Sequence, residues 1–258
     1  MAISGLAGYL ERLMSTGRFL TANWRHLAML NYEADPLILR DRVPRGTELD
    51  SWNGRTLISV VGFLFLDTRV LGIPIPFHRD FEEVNLRFYV RRRGPDGWRR
   101  GVVFVKEIVP RWAIAAVARA CYGERYAALP MRHQVELENQ RIKAGSLARF
   151  DWQVDGQWSY LQVRATGQPV LPEPGSEEEF ITEHYWGYAS QRSGGTMEYQ
   201  VEHPQWKVWQ ASEAKLECSI KRIYGSEFEK SLQASPSSAF IAEGSGVTVR
   251  QGLKLNSE

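Results

Sequence analysis

Between Phe81 and Val90 the chain reads Phe-Glu-Glu-Val-Asn-Leu-Arg-Phe-Tyr-Val, and apolar and polar residues alternate through it almost without a break. A strand turns successive side chains to opposite faces, so Val84, Leu86, Phe88 and Val90 share one side. Glu83, Asn85, Arg87 and Tyr89 share the other. Two surroundings fit that second face: open water beside a two-layer sheet, or the lining of a polar cavity. A carboxylate, an amide, a guanidinium and a phenol in one row favour the cavity.

The rest of the chain is patterned in the same way. Aromatic residues are plentiful, with nine Trp, ten Tyr and eleven Phe, and many lie in alternating runs that favour sheet over helix. Strands are expected at 19–32, 48–52, 56–67, 98–107, 131–142, 146–154, 157–166, 184–191, 196–203, 214–222 and 239–253. The 56–67 segment is apolar on both faces and is expected to be central. Turns are marked by Trp52-Asn53-Gly54-Arg55, which joins 48–52 to 56–67 as a hairpin, by Gly94-Pro95-Asp96-Gly97 and by Asp155-Gly156.

Asp35 with Pro36 opens a short helix, and Ser176 with Glu179 forms a capping box before an acidic one. A further short helix is expected near Glu227–Leu232. Pro110 to Tyr122 is the clearest helix, stopping at Gly123, and Leu71 to His78 is a proline-rich loop. Many antiparallel strands with few helices predict a mainly β, α+β fold, closed or strongly curved. Residues 1–18 read as a helical extension and 19–258 as one domain, with 167–176 as the one plausible internal boundary.

Bulk properties exclude several classes. A formal charge of +2 is too small to argue for nucleic acid. The longest apolar run, Leu57 to Leu66, falls far short of the ~20 residues of a membrane helix. The start of the chain lacks the basic and apolar regions of a secretory signal, and Cys121 and Cys218 provide no disulfide framework. A cytoplasmic protein is expected, without membrane or nucleic-acid partners; a homo-oligomer stays open. His26, His78, His133, His184 and His203 are scattered singly, so no metal and no cofactor is expected. No G-x-S-x-G elbow is present. The arginines at 91, 92, 93, 99 and 100 read as a solvated hairpin tip rather than a grip on an acidic partner.

Several blocks resemble a known family in order along the chain: Phe19–Tyr32, the segment to Asp67, FEEVNLRFYV, AVARACYGERYAALPM, YWGYASQRSGGTMEYQVEHPQWKVW and SPSSAFIAEGSGVTVRQG. They resemble the YqjF-like domain of unknown function, a branch of the acetoacetate decarboxylase-like superfamily. The resemblance implies a conical antiparallel β-barrel with a few peripheral helices and a polar pocket in the cone. In the decarboxylases a glycine-proline-lysine-lysine turn supplies the Schiff-base lysine and the neighbour that lowers its pKa. The matching stretch here is Gly123-Glu124-Arg125-Tyr126-Ala127, so Tyr126 and Ala127 stand where the lysines would be. Tyrosine forms no imine with a ketone, and Lys106, one strand earlier, is a poor substitute.

The expectation is therefore a small-molecule-binding protein without that lysine. Its ligand would be a small organic acid or keto compound, with Arg87 as anchor and Asn85, Tyr89 and Tyr126 as hydrogen-bonding groups. Glu83 would act as counter-charge or general base. The alternative is a lyase or other acid–base enzyme that forms no covalent intermediate, with Glu83 and Tyr126 as its catalytic candidates.

Overall fold

The apolar run that starts at Leu57 becomes the most deeply enclosed strand, buried without interruption from Leu57 to Phe65. With both of its faces covered, it must lie inside the sheet, and it pairs with a strand on either side. The computed structural model describes residues 17–74, 78–110, 126–191 and 194–255. In chain order its strands are β1 (Arg18–Glu33), β2 (Glu48–Leu49), β3 (Leu57–Val70), β4 (Ile73–Pro74), β5 (Phe81–Gly94), β6 (Gly97–Val109), β7 (Tyr126–Ala128) and β8 (Met131–Val135). They continue with β9 (Leu147–Val154), β10 (Gln157–Val170), β11 (Trp186–Ser190), β12 (Thr196–Glu202), β13 (Val208–Glu217), β14 (Ser238–Arg250) and β15 (Leu253–Leu255). The α-helices are short: α1 (Glu177–Thr182), α2 (Ile220–Ile223) and α3 (Glu229–Leu232). Among the described residues no helix is long and apolar enough to cross a membrane.

One path of hydrogen bonds runs β12–β11–β6–β5–β3–β1–β14, and β14 then pairs with β12 through Val201–Val249 and Glu202–Thr248. The series of seven strands thus returns to its first member. Beyond β14 the ladder continues through β13, β10, β9 and β8 as a second layer. Most pairs are antiparallel; β6 has β5 along one edge and, on the other, runs parallel to β11 at Gly101–Val102 and to β7 at Glu107–Val109.

The alternation in β5 now has a cause. Val84, Leu86, Phe88 and Val90 pack with Phe150, Trp152, Leu161 and Val163 of the second layer, in one fully buried cluster. Tyr89 and Phe81, on the opposite face, join a second cluster with Phe63, Phe65, Trp206 and Phe240.

Several sequence expectations change. The Asn-Gly turn forms, with Asn53 and Gly54 at φ 49° and 78° and Trp52 bridged to Arg55. The chain before it does not pair with β3, however, because β1 and β5 already occupy both edges of that strand. Instead β2 pairs with β5, and the Asp50 N–H donates to the Tyr89 carbonyl at 3.0 Å. The 131–142 strand stops at Val135, where Asn139 and Gln140 turn back with positive φ. The loop from Leu71 starts with a short pairing of β4 to β3. The stretch 167–176, expected to be loop, begins as strand, since β10 runs to Val170 and pairs with β13. The last part of the chain also shifts: β13 starts at Val208, six residues before Ala214, and α2 follows it.

The arginine hairpin tip is not simply solvated. Arg92 and Arg99 converge on buried Glu198 at 3.2 and 2.6 Å, Arg100 holds Asp50 at 2.8 Å, and Arg91 holds Glu48 at 2.6 Å. Residues 111–122 of the helix expected at 110–122, with Cys121, and residues 1–16 of the extension expected over 1–18 lie outside the described residues, while Arg18 already belongs to β1.

Candidate functional site

Register places the polar row of β5 against specific neighbours. Across β3, Glu83 faces Phe63, Asn85 faces Val61 and Arg87 faces Ser59. On the other side Asn85 faces Glu107 of β6, and Glu107 faces Tyr126 of β7. Asn85, Glu107 and Tyr126 therefore stand abreast on three strands, with Glu83 one pleat away. These residues and Arg87 line a cavity of about 120 Å³ whose other walls are mainly apolar, including Trp24, Phe65 and Trp206.

A β-bulge decides what β6 contributes. Counting from the Gly94–Gly97 turn, Arg87 pairs with Phe104, but Leu86 pairs with Lys106, leaving Val105 as an extra residue. One surplus residue inverts the facing of everything beyond it. Lys106 consequently lies opposite Leu86, on the face away from the cavity, while Glu107 turns inward. Without the bulge, Lys106 would face Asn85.

Glu83 is 2% exposed. Asn85 Nδ2 donates to its Oε1 at 2.9 Å and the Tyr126 hydroxyl to its Oε2 at 3.3 Å. Burial pushes the carboxyl up to about 7, against the opposing pull of those two hydrogen bonds and the Arg87 charge. Arg87 donates through Nη2 to the Ile181 carbonyl at 3.2 Å, while its buried Nε has no hydrogen-bond partner among the described residues. Asn85 Oδ1 is in the same position.

Tyr89 departs from the expected row. It does not line the cavity, because its hydroxyl is engaged by Ser59 Oγ at 2.6 Å. Ser59 donates its own proton to Asn31 Oδ1 at 2.7 Å, so Tyr89 is the donor to Ser59. Asn31 Nδ2 continues to Ser238 Oγ at 2.9 Å, Ser238 reaches Glu177, and Arg55 Nη2 closes the chain on Glu177 at 2.8 Å. Tyr89 therefore anchors a buried structural network, and its ring lies below Arg87 with the guanidinium 5.7 Å from the ring centroid.

Two of the histidines scattered singly along the sequence, His184 and His203, line the cavity. His184 lies against Tyr89 and Phe180 at centroid distances of 4.7 and 5.3 Å. Neither of its ring nitrogens has a hydrogen-bond partner among the described residues. Asp50 Oδ2 is 3.7 Å from Nε2, a charge contact too long for a hydrogen bond. Burial lowers His184 to about 4, Arg100 and Arg87 act in the same direction, and Asp50 opposes them. Burial would raise Asp50, but His184 and Arg100 hold it down at about 2. His203 stacks on Trp206 at 4.1 Å, and burial lowers its pKa too. His26 and His133 are elsewhere, and no group of three metal-ligating side chains exists among the described residues.

The family model for DUF2071, described as an uncharacterized conserved protein, matches residues 21–246. The chain belongs to this family. The uncharacterized protein YqjF of Bacillus subtilis is 27% identical over 201 residues, 78% of each chain. Among solved structures, an acetoacetate decarboxylase-like enzyme from Sphingomonas wittichii is similar with a TM-score of 0.66 at 12% identity, over 93% of this chain and 94% of that one. The enduracididine biosynthesis enzyme MppR, complexed with pyruvate, gives 0.65 at 13% identity, over 92% and 90%. At such identities the likeness establishes the acetoacetate decarboxylase-like fold, and family membership carries no assigned activity.

Proposed function

We propose that this DUF2071 chain binds a small organic acid or keto compound inside a β-cone, without a Schiff-base lysine. The observation that carries the reading is Arg87, whose guanidinium lines a cavity with mainly apolar walls and has its Nε hydrogen free of any partner among the described residues. A planar cation in such surroundings suits a carboxylate, and leaving it unfilled is unfavourable. Glu83, Asn85 and Tyr126 then meet a ligand oxygen. The ring of pairings from β12 round to β14 supports the conical barrel, and the described lining includes no lysine. That a fold neighbour was solved with pyruvate agrees with a ligand of this class. Residues 19–258 act as one domain, in a cytoplasmic setting that suits the free Cys218.

A second reading is favoured by one further observation. A buried carboxyl raised to about 7 and bonded to a tyrosine hydroxyl is poised to exchange protons near neutrality. In that reading the chain is an acid–base enzyme, with Glu83 and Tyr126 acting on the bound keto compound.

A thermal-shift screen of organic acids on wild type and Arg87→Ala tests the binding. A ligand at a hundred times its Kd stabilises by about 2.7 kcal/mol. Wild type should show that shift and the variant should lose it; equal responses would remove Arg87 from the site.

A further inference from the structure

The cavity changes character in one direction. At the level of Ser59 and Arg87 it is charged; one pleat on come Asn85 and Glu107, and then Glu83. At the next level Phe65 pairs with Phe81 on one side and Trp24 on the other. Phe65 stacks on Phe81 at 4.7 Å, and Trp24 meets Phe63 and Phe65 edge-on at 5.4 and 5.6 Å. Beyond them β1 pairs Leu20 with Val70 and Val249, all three of which line the cavity. The sequence of surfaces is cation, protic groups, aromatic rings, aliphatic groups.

Size points the same way. With one water needing about 10–15 Å³ of such space, a cavity of about 120 Å³ holds roughly ten non-hydrogen atoms. A two- or three-carbon acid would leave the aromatic and aliphatic end empty.

We infer that the ligand is an amphipathic carboxylic acid, with its carboxylate on Arg87, a carbonyl or hydroxyl beside Glu83 and Tyr126, and a flat apolar tail against Phe65, Phe81 and Trp24. This rests on the reading of Arg87 given above and adds the tail to it. The ligand class is an aryl-substituted keto or hydroxy acid rather than its short-chain parent.

Calorimetric titration of the full chain with pyruvate and with phenylpyruvate separates the two readings. Burying the added ring should tighten binding roughly tenfold or more. Phe65→Leu, which keeps the site apolar but removes the ring, should reduce that ratio several-fold. Equal affinities of wild type for the two acids, or a ratio that survives Phe65→Leu, would overturn the tail assignment and leave the carboxylate site standing. Binding of neither acid would overturn both.

Discussion

At Glu83 two opposing influences act on one carboxyl group, and their balance is testable through pH. Its folded pKa, about 7, lies above its ordinary 4.5, so folding favours the neutral form. That contribution is complete below pH 4.5 and disappears as pH rises through 7. Glu83→Gln keeps an acceptor oxygen for Asn85 and offers Tyr126 an N–H donor in place of the second oxygen, without the charge. It should match wild type near about pH 5 and exceed it near about pH 8, by up to roughly 3 kcal/mol, in urea titrations. A constant difference across that range would mean the carboxylate is already ionised.

His184 has the opposite sign. Its folded pKa is about 4 against an ordinary 6.5, so the unfolded chain takes the proton first and stability falls as pH drops from 6.5 towards 4. Asp50, Arg100 and Arg87 are the charges that face it. His184→Phe should flatten part of that decline, and His26, which burial likewise lowers to about 4, and His203 contribute to the remainder. Glu83 and Arg87 were legible in the sequence because alternation assigns faces without reference to any other strand. Glu107 was not, since its facing depends on the surplus Val105 two residues before it, which shows only once β6 is paired with β5. His184 was visible as a residue but not as a cavity group, because Asp50, Arg100 and Tyr89 reach it from distant segments.

Among the elements, those with local signals formed as expected. The Ser176 Oγ accepts the Glu179 N–H at 3.1 Å and opens α1, although the Glu179 carboxylate reaches back to the Gly175 N–H rather than to Ser176. Ser176→Ala should cost about 1 kcal/mol in a denaturation curve. The loss would also loosen Phe180 and Ile181, which this helix packs beside Tyr89 and Arg87. The parallel seam between β6 and β11 carried no local signal at all. There Gly101 pairs with Trp186, and an added Cβ would come within 2.7 Å of the Trp186 carbonyl oxygen. Gly101→Ala should therefore destabilise by about 2 kcal/mol or more, seen as a lower denaturation midpoint with unchanged slope. Gly101→Ala as stable as wild type would mean that β6 and β11 separate easily.

At the scale of the molecule, the mainly β class followed from composition and alternation, whereas the return of β14 to β12 rests on two residue pairs that no local pattern announces. One buried cluster combines Leu30, Phe88, Trp152, Trp209 and Ile241, from both sides of residues 167–176. Unfolding should accordingly be a single cooperative transition, with fluorescence and far-UV dichroism coinciding; two resolved transitions would divide the chain near that loop.

The extra residue at Val105 has a bearing on descent within such folds. Were Val105 paired with Leu86 instead of left over, the strand beyond it would slip by one step and set the Lys106 amine opposite Asn85 in place of the Glu107 carboxylate, with the length of the chain unchanged. A lineage could thus change the charge on the cavity wall by a slip of register rather than by substituting a side chain.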